Sequence, residues 1–180
     1  MDGIVTLLNR QQDELILAIW RELHEECGLH GIEATPIPHF SWIIAERFDL
    51  EAAGKLLQEA TAGTPSFGAS TSGLGIFART DPVIYLPVVK DRSLLEFHAS
   101  LWERLKPLGT KINPHYAPDL WIPHITLAHR DLAPDGVNCA VDRLMRRDLQ
   151  LEIVVDNLAI ICQQDNRVGE LRSKYPFGGG

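Results

Sequence analysis

Two short segments of the chain combine a histidine with a hydroxyl residue two positions later. His39 is followed by Ser41 and His124 by Thr126, and each histidine comes directly after a proline. An imidazole has an unperturbed pKa of about 6.5, so one histidine can accept a proton while another donates one near neutral pH. Two such rings facing one phosphate suit in-line displacement, in which one activates water and the other protonates the leaving oxygen. The two hydroxyls can then donate hydrogen bonds to the non-bridging oxygens, where negative charge accumulates.

The repetition of this pattern is more informative than either segment alone. Roughly 0.6 His-x-Ser/Thr triplets arise by chance in a chain of this composition, so one triplet means little. The longer pattern Pro-His-apolar-hydroxyl-apolar is expected about 0.01 times, yet it occurs at 38–42 and again at 123–127. Side chains alternate along a strand, so each histidine shares a face with its hydroxyl, while Phe40, Trp42 and Ile44 are expected on the other face. The sequence therefore predicts a duplicated strand–helix module whose two polar faces converge on one cleft.

The elements that position these residues are predicted to mix strands and helices. Apolar alternation and β-branched or aromatic content indicate the strands, and apolar residues three or four apart indicate the helices. The predicted strands are 3–8, 39–46, 67–77, 83–89, 121–128 and 151–161, with a final one near 168–174. The predicted helices are 11–27, 50–62, 94–105 and 137–149. The short connection between 67–77 and 83–89 is typical of a hairpin, so the sheet is expected to be at least partly antiparallel.

The bulk composition is that of an ordinary folded protein. With 180 residues, 45% of them hydrophobic and 23% charged, the chain can form one domain, 1–180, with a sizeable core. It shows no secretory signal and no apolar run long enough for a bilayer, so a cytoplasmic protein is expected. Cys27, Cys139 and Cys162 are widely spaced and lack a Cys-x-x-Cys pattern. They are expected to be buried thiols that form neither a disulfide framework nor a thiolate metal site.

The charge of the chain restricts its partners. A net charge of −7 disfavours attachment to long duplex nucleic acid, which relies on many Lys and Arg contacts. A small nucleotide or an RNA terminus stays possible, because a few local cations suffice there. We therefore expect a small nucleotide or RNA-terminus substrate, no membrane partner and a monomer.

Four further residues near the motifs are candidates for substrate binding. Arg130, at the far end of the second motif strand, can clamp a phosphate with two hydrogen bonds, although a solvated loop charge explains it equally well. His129 beside it is expected on the strand face opposite to His124. Tyr116 can line the cleft and stack on a base, and the polar tip of Tyr85 can reach a substrate. Packing in a loop or in the core is the alternative for both tyrosines.

Three other histidines are expected to have surface or half-buried structural roles, and three tryptophans are expected in the core. His24, His30 and His98 lie in or near predicted helices without matched partners. No His-x-His or His-Glu-x-x-His spacing is present, and the motif histidines come with hydroxyls rather than carboxylates, so we predict no metal site and no cofactor. Trp20, Trp42 and Trp102 occupy apolar periodic positions and are predicted to be core residues.

The two Pro-His-x-Ser/Thr segments, whose histidines lie 85 residues apart, resemble those of the two-histidine (2H) phosphoesterase superfamily. The closer resemblance is to its 2′-5′ RNA ligase-like, cyclic phosphodiesterase branch, which segments 116–123 and 73–77 also resemble. This resemblance implies a bilobal α+β fold, with two antiparallel sheets and flanking helices around a central cleft. The two modules would be related by a pseudo-two-fold.

The same resemblance implies an activity and a set of catalytic residues. The activity would be metal-independent, cofactor-free hydrolysis of 2′,3′-cyclic or 2′-5′-linked nucleotide phosphodiesters. The family's catalytic histidines and hydroxyls match His39, Ser41, His124 and Thr126. Two alternatives stay open: an RNA 2′-5′ ligase, which the low basic content fits poorly, and a non-catalytic module that binds nucleotides in the same cleft.

Overall fold

The computed structural model describes residues 1–163 and 169–178. Within these ranges the helices are α1 Arg10–Cys27, α2 Leu50–Ala62, α3 Arg92–Leu105 and α4 Pro134–Leu144. The strands are β1 Asp2–Leu7, β2 His39–Ala45, β3 Arg47–Phe48, β4 Phe67–Ser70, β5 Gly75–Phe77, β6 Val83–Pro87, β7 Gly109–Thr110, β8 His124–His129, β9 Glu152–Val155, β10 Asn157–Cys162 and β11 Glu170–Pro176.

Seven of these strands pair in the order β11-β10-β1-β2-β8-β6-β5, and every pairing is antiparallel. The array has two halves, β11-β10-β1-β2 and β8-β6-β5, which meet where Phe40 of β2 lies opposite Ile125 of β8. Two small antiparallel sheets, β3-β7 and β4-β9, complete the strand pairing of the described residues. The predicted α+β class, with antiparallel sheets and flanking helices, is confirmed.

Local sequence signals explain where the helices begin and end. The Asn9 side chain accepts hydrogen bonds from the backbone of Gln11 and Gln12, and Asp49 and Asp91 cap α2 and α3 in a similar way. Helix α1 ends at Cys27 and is capped by Gly28, whose φ of 67° is the left-handed conformation that glycine adopts most readily. None of the described helices is both long and apolar enough to cross a bilayer.

The core lies between the sheet and the helices. Trp42 and Trp121 are fully buried, and Trp20 and Trp102 are each only 7% exposed. The prediction that Trp20, Trp42 and Trp102 are core residues is therefore confirmed. The apolar face of α1 contributes Ile16, Ile19 and Leu23 to the same core.

Some predicted element boundaries were wrong. The segment 67–77 forms two strands, β4 and β5, which belong to different sheets and are separated by a turn at Gly73 with a φ of 66°. The segment 151–161 likewise divides into β9 and β10. The segment 121–128 becomes a strand only at His124, because Pro123 has no N–H to donate to a ladder.

Two further elements lie a few residues away from their predicted positions. The helix predicted at 137–149 corresponds to α4, which begins at Pro134 and ends at Leu144. The final predicted strand, 168–174, is β11 at Glu170–Pro176, and Val168 lies outside the described residues.

Each motif strand contains a bulge directly after its hydroxyl residue. Between β1 and β2 the pairing jumps from Val5–Ser41 to Ile4–Ile43, which leaves Trp42 as the extra residue. Between β6 and β8 it jumps from Tyr85–Thr126 to Ile84–Ala128, which leaves Leu127 as the extra residue. One extra residue reverses the in-and-out alternation of a strand.

The bulges correct two predictions about strand faces. Trp42 and Ile43 are buried in succession, as are Leu127 and Ala128. Ile44 therefore returns to the face of His39, and His129 to the face of His124, and both Ile44 and His129 line a cavity. The prediction that Ile44 and His129 lie on the opposite faces was wrong, because it assumed unbroken alternation.

The cysteine prediction was also wrong in part. Cys27 and Cys139 form a disulfide between the last residue of α1 and the middle of α4, with Cα atoms 5.8 Å apart. These cysteines are 112 residues apart in the chain and become neighbours because α1 and α4 pack together. Cys162 is a buried thiol, as predicted.

Candidate active site

The pairing of β2 with β8 brings the four motif residues together. Because Phe40 lies opposite Ile125 in an antiparallel pair, His39 stands opposite Thr126 and Ser41 opposite His124. The two histidines are then diagonal neighbours, at about 7–8 Å in a regular sheet. A phosphate group fits between two side chains at this separation. The expected convergence of the two polar faces therefore occurs at the junction of the two halves.

Both motif histidines make the same contact with the backbone. Nδ1 of His39 donates to the carbonyl oxygen of Ile37 at 2.5 Å, and Nδ1 of His124 donates to that of Ile122 at 2.6 Å. A carbonyl oxygen can only accept, so Nδ1 carries the hydrogen in each neutral ring. Nε2 is therefore the nitrogen available for proton transfer in both rings.

The surroundings of both rings favour the neutral form. Burial lowers the pKa of His39 below its usual value, and the nearby charge of His124 lowers it further. Burial also lowers the pKa of His124, with a further contribution from the Arg79 guanidinium. The hydrogen bonds to Ile37 and Ile122 oppose these shifts without overcoming them. A neutral imidazole can act as a base, and an anionic ligand would help either ring to hold a proton.

The two hydroxyl residues have different surroundings. Ser41 is 9% exposed, and its hydroxyl is hydrogen-bonded to that of Tyr116. Burial raises the pKa of Tyr116 to about 12, so this phenol stays neutral. Thr126 is half-buried and lines a cavity.

Buried side chains hold the backbone of both bulges in place. The indole Nε1 of Trp121 donates to the carbonyl oxygen of Ser41 at 2.9 Å, and Nε1 of Trp20 donates to that of Thr126 at 3.1 Å. Nε2 of His98 is 3.1 Å from the carbonyl oxygen of Trp42. A bulge interrupts the ladder, so its carbonyls need such partners.

Two cavities adjoin the motif residues. The first, of about 260 Å³, is lined by five of the predicted site residues, namely His39, Ser41, Thr126, His129 and Arg130. The second, of about 220 Å³, is lined by His124 and Tyr116 together with Phe77, Arg79 and His115. The two histidines therefore belong to different cavities, and Ser41 and Tyr116 connect the two across their hydrogen bond.

The four candidates for substrate binding have different positions. Arg130 is exposed at the mouth of the first cavity, with a φ of 73° that is unusual for a residue other than glycine. His129 lines the same cavity and Tyr116 lines the second. Tyr85 lines neither of them. Its ring is 8% exposed, stacks on Phe77 at 4.1 Å and lies 5.1 Å from His124, so packing accounts for it best.

The sequence reasoning missed residues on both sides of the cleft. Arg79 lies in the turn between β5 and β6, with its guanidinium carbon 5.0 Å from the centre of the Phe77 ring. Trp20 was assigned only to the core, and Ile44 to the wrong face. The predicted hairpin could have drawn attention to Arg79, because its turn adjoins the motif strand in an antiparallel sheet.

A sheet of two halves with a His-x-hydroxyl strand on each side of the junction has the architecture of a two-histidine phosphoesterase. The family model of the 2′-5′ RNA ligase superfamily matches residues 8–167. The chain therefore belongs to this superfamily, as the sequence resemblance indicated.

Solved structures share the fold at low sequence identity. TT0787 of Thermus thermophilus is 18% identical with a TM-score of 0.68, over 99% of this chain and 98% of that chain. Escherichia coli LigT complexed with 3′-AMP is 16% identical with a TM-score of 0.61, over 98% and 96%. Usb1 of Kluyveromyces marxianus is 12% identical with a TM-score of 0.50, over 98% and 97%. No curated protein sequence matches this chain.

Proposed function

We propose that the protein is a metal-independent phosphodiesterase that hydrolyses 2′,3′-cyclic or 2′-5′-linked nucleotide phosphodiesters. The observation that carries this proposal is the pair of motif histidines, His39 and His124, each with Nδ1 bound to a backbone carbonyl and Nε2 available. One neutral ring takes a proton from water as the water oxygen attacks phosphorus. The other ring, protonated, gives its proton to the ribose oxygen as the phosphorus–oxygen bond breaks. The two rings supply both proton transfers.

The hydroxyls and cations have supporting roles in this mechanism. Ser41 and Thr126 would donate hydrogen bonds to the non-bridging oxygens as negative charge grows on them. Arg130 and Arg79, one at each cavity, would attract the phosphate and any second phosphate of an oligonucleotide.

The cavities indicate how a nucleotide would be held. They adjoin each other at the motif residues, which suits groups on either side of a scissile phosphate. Phe77 and Tyr116 present aromatic rings to the second cavity, where a base can stack. The E. coli relative was crystallised with 3′-AMP, which supports a nucleotide as the ligand class. A small or terminal nucleotide also agrees with the net charge of −7.

A chelator-treated assay on 2′,3′-cyclic nucleotides and 2′-5′-linked dinucleotides tests the proposal. We expect turnover to survive the chelator. His39→Ala and His124→Ala should each lower turnover by about 10²–10⁴-fold with a smaller effect on nucleotide affinity. Resolving the products as 2′- or 3′-phosphates identifies the leaving oxygen. Turnover that is lost with the chelator and restored only by Zn²⁺ or Mn²⁺ would overturn the metal-independent mechanism.

Matched hydroxyl variants separate catalysis from folding. Ser41→Ala removes a cleft hydroxyl, whereas Ser100→Ala removes an exposed hydroxyl on α3. Only the first should lower kcat, because only Ser41 lies in the cleft.

The two alternatives give different results in the same samples. An RNA 2′-5′ ligase would join an RNA 2′,3′-cyclic phosphate end to a 5′-hydroxyl end, which a gel assay detects. A non-catalytic module would bind nucleotide without converting any substrate of the panel. Either result, with no hydrolysis, contradicts the proposed phosphodiesterase.

The proposal includes a monomeric, single-domain, cytoplasmic enzyme, and the disulfide makes the location testable. Disulfides are rare in reducing compartments, so Cys27–Cys139 is the observation that opposes a cytoplasmic location. Trapping the thiols in freshly lysed source cells would show whether this bond is present there. A fully oxidised pair would contradict the cytoplasmic prediction.

A further inference from the structure

Away from the cleft, the end of α1 carries a cluster of possible metal ligands. His24 lies in the last turn of α1, and the chain reverses direction at Gly28. A short 3-10 helix, Gly31–Ala34, follows this turn. It places Glu33, and His30 directly before the helix, beside His24. One ligand atom from each of the three side chains lies within 4.8 Å of the others, the only such group in the described part of the chain.

The distances within the cluster suit a small divalent cation. Nδ1 of His24 is 3.3 Å from Oε1 of Glu33, and Nδ1 of His30 is 3.7 Å from the same oxygen. In a tetrahedral zinc site with bonds of about 2.0–2.2 Å, neighbouring ligand atoms are about 3.3 Å apart. Small side-chain rotations would therefore bring all three atoms to a single Zn²⁺.

We propose that His24, His30 and Glu33 bind a zinc-class divalent cation, with water in the fourth position. The side chains are about half exposed, at 47%, 55% and 63%, so the cation can enter from solvent. Two imidazoles and one carboxylate are a common ligand set for zinc. The position at the end of α1 is also favourable, because the carbonyl end of a helix attracts positive charge.

The site would fasten one wall of the cleft. The connection from α1 to β2 carries Ile32, Thr35 and Ile37, all of which line the first cavity. Asp131, two residues after the end of β8, accepts hydrogen bonds from the backbone N–H groups of His30 and Gly31. A cation that holds His30 and Glu33 to α1 would therefore stabilise this wall, without taking part in the chemistry at His39 and His124.

Gly31, in the same connection, packs directly against the backbone at the end of the second motif strand. A Cβ atom at Gly31 would overlap the carbonyl oxygen of His129, so the 3-10 helix begins directly against the end of the second motif strand. Movement of this 3-10 helix would therefore also move the backbone next to His129 and Arg130, which line the first cavity.

Zinc titration of untagged, chelator-stripped protein tests the proposal. We expect one Zn²⁺ per chain by calorimetry, and a rise in Tm of about 5–10 °C at a free Zn²⁺ concentration 100 times Kd. Co²⁺ should bind in the same place without a thiolate charge-transfer band. Calorimetry and Tm are read without any activity assay, so this test is independent of the proposed phosphodiesterase.

Single substitutions identify the ligands. His24→Ala and His30→Ala should each weaken Zn²⁺ binding by about 100-fold or more, because each removes one of three protein ligands. Glu25→Gln, an exposed change on the same helix, should leave Zn²⁺ binding unchanged. Absence of binding, equal binding by a His24→Ala/His30→Ala double variant, or a cobalt–thiolate band would each overturn the site.

Discussion

At the scale of single residues, the two motif histidines have matching contacts but different neighbours. Each ring donates Nδ1–H to the carbonyl two residues earlier, across the intervening proline. Burial lowers the pKa of both rings. The neighbouring charge that adds to this shift is Arg79 for His124 and His124 for His39. The sequence predicted these histidines and their hydroxyls from a repeated pattern. It predicted the hairpin but not a role for Arg79, because only the folded hairpin brings that turn to the cleft.

The pH dependence of kcat/KM should show an optimum below pH 6.5. The reactive free enzyme needs one protonated and one neutral histidine, so its population is largest between the two pKa values. Burial lowers both of these pKa values from 6.5, which moves the maximum to lower pH. A pH–rate profile under subsaturating substrate measures this directly, and an optimum above pH 7 would contradict it.

The substitution Arg79→Gln tests whether the Arg79 charge contributes to this pH dependence. Removing the guanidinium charge removes one cause of the lowered pKa of His124, so the limb that reports His124 should move to higher pH. The same substitution should raise KM if Arg79 also attracts the phosphate. An unchanged profile would show that Arg79 does not act on His124.

At the scale of elements, the bulges determine which residues face the cleft. The sequence predicted both motif strands but continued their alternation past Ser41 and Thr126, so it misplaced Ile44 and His129. A signal was present, since each hydroxyl is followed by at least two successive apolar residues, beginning with Trp42-Ile43 and Leu127-Ala128. Such pairs interrupt a period of two. Whether they form a bulge depends on the partner strand and on donors for the freed carbonyls, which the sequence does not show.

Removing an indole donor from a bulge should reduce both stability and turnover. Trp121→Phe leaves the buried carbonyl of Ser41 without its N–H partner, and Trp20→Phe leaves the partly buried carbonyl of Thr126 without one. We expect a loss of about 1–3 kcal/mol in the free energy of unfolding for each. Because the hydroxyl residue itself is displaced, kcat should fall by about tenfold or more.

Trp102→Phe is the control for these variants. Trp102 is as buried as Trp20, and among the described hydrogen bonds none involves its indole nitrogen. The same change of side chain there should leave kcat unaffected. Equal effects on kcat at all three positions would show that packing, rather than the carbonyl contact, matters.

At the scale of the whole molecule, the two halves are joined by helices that cross between them. Helix α1 follows β1 of the first half but packs on β8, and α3 follows β6 of the second half but packs on β2. Because of these crossings, Trp20 on α1 contacts the carbonyl oxygen of Thr126, and His98 on α3 contacts that of Trp42. The sequence predicted the class of fold through the duplicated motif. The crossings depend on contacts between distant segments, which local patterns do not specify.

Acidification should destabilise the whole molecule through His98. This ring is 1% exposed and lies against Trp121 with ring centres 3.7 Å apart, and burial lowers its pKa to about 4. The unfolded chain takes up the proton near pH 6.5, so the stabilisation is complete above that pH and decreases as the pH falls towards 4. The loss should reach about 3 kcal/mol at pH 4. Urea unfolding at pH 7 and pH 4.5 measures it, and His98→Asn, which does not titrate, should show a smaller pH dependence.

Reduction of the disulfide should also destabilise the molecule, because the bond joins two helices from distant parts of the chain. Cys27 on α1 and Cys139 on α4 close a loop of 112 residues. The neighbouring ion pair Arg143–Glu26 links the same two helices, and Arg147, just after α4, pairs with Glu22 of α1. Restricting so long a loop in the unfolded chain typically stabilises a protein by about 2–4 kcal/mol. We expect a Cys27→Ser/Cys139→Ser variant to lose this amount in urea unfolding and to show no further loss with a reducing agent. Since neither cysteine lines the cleft cavities, its turnover at low temperature should match that of the parent. A variant as stable as the oxidised parent would show that packing and ion pairs alone hold α1 to α4.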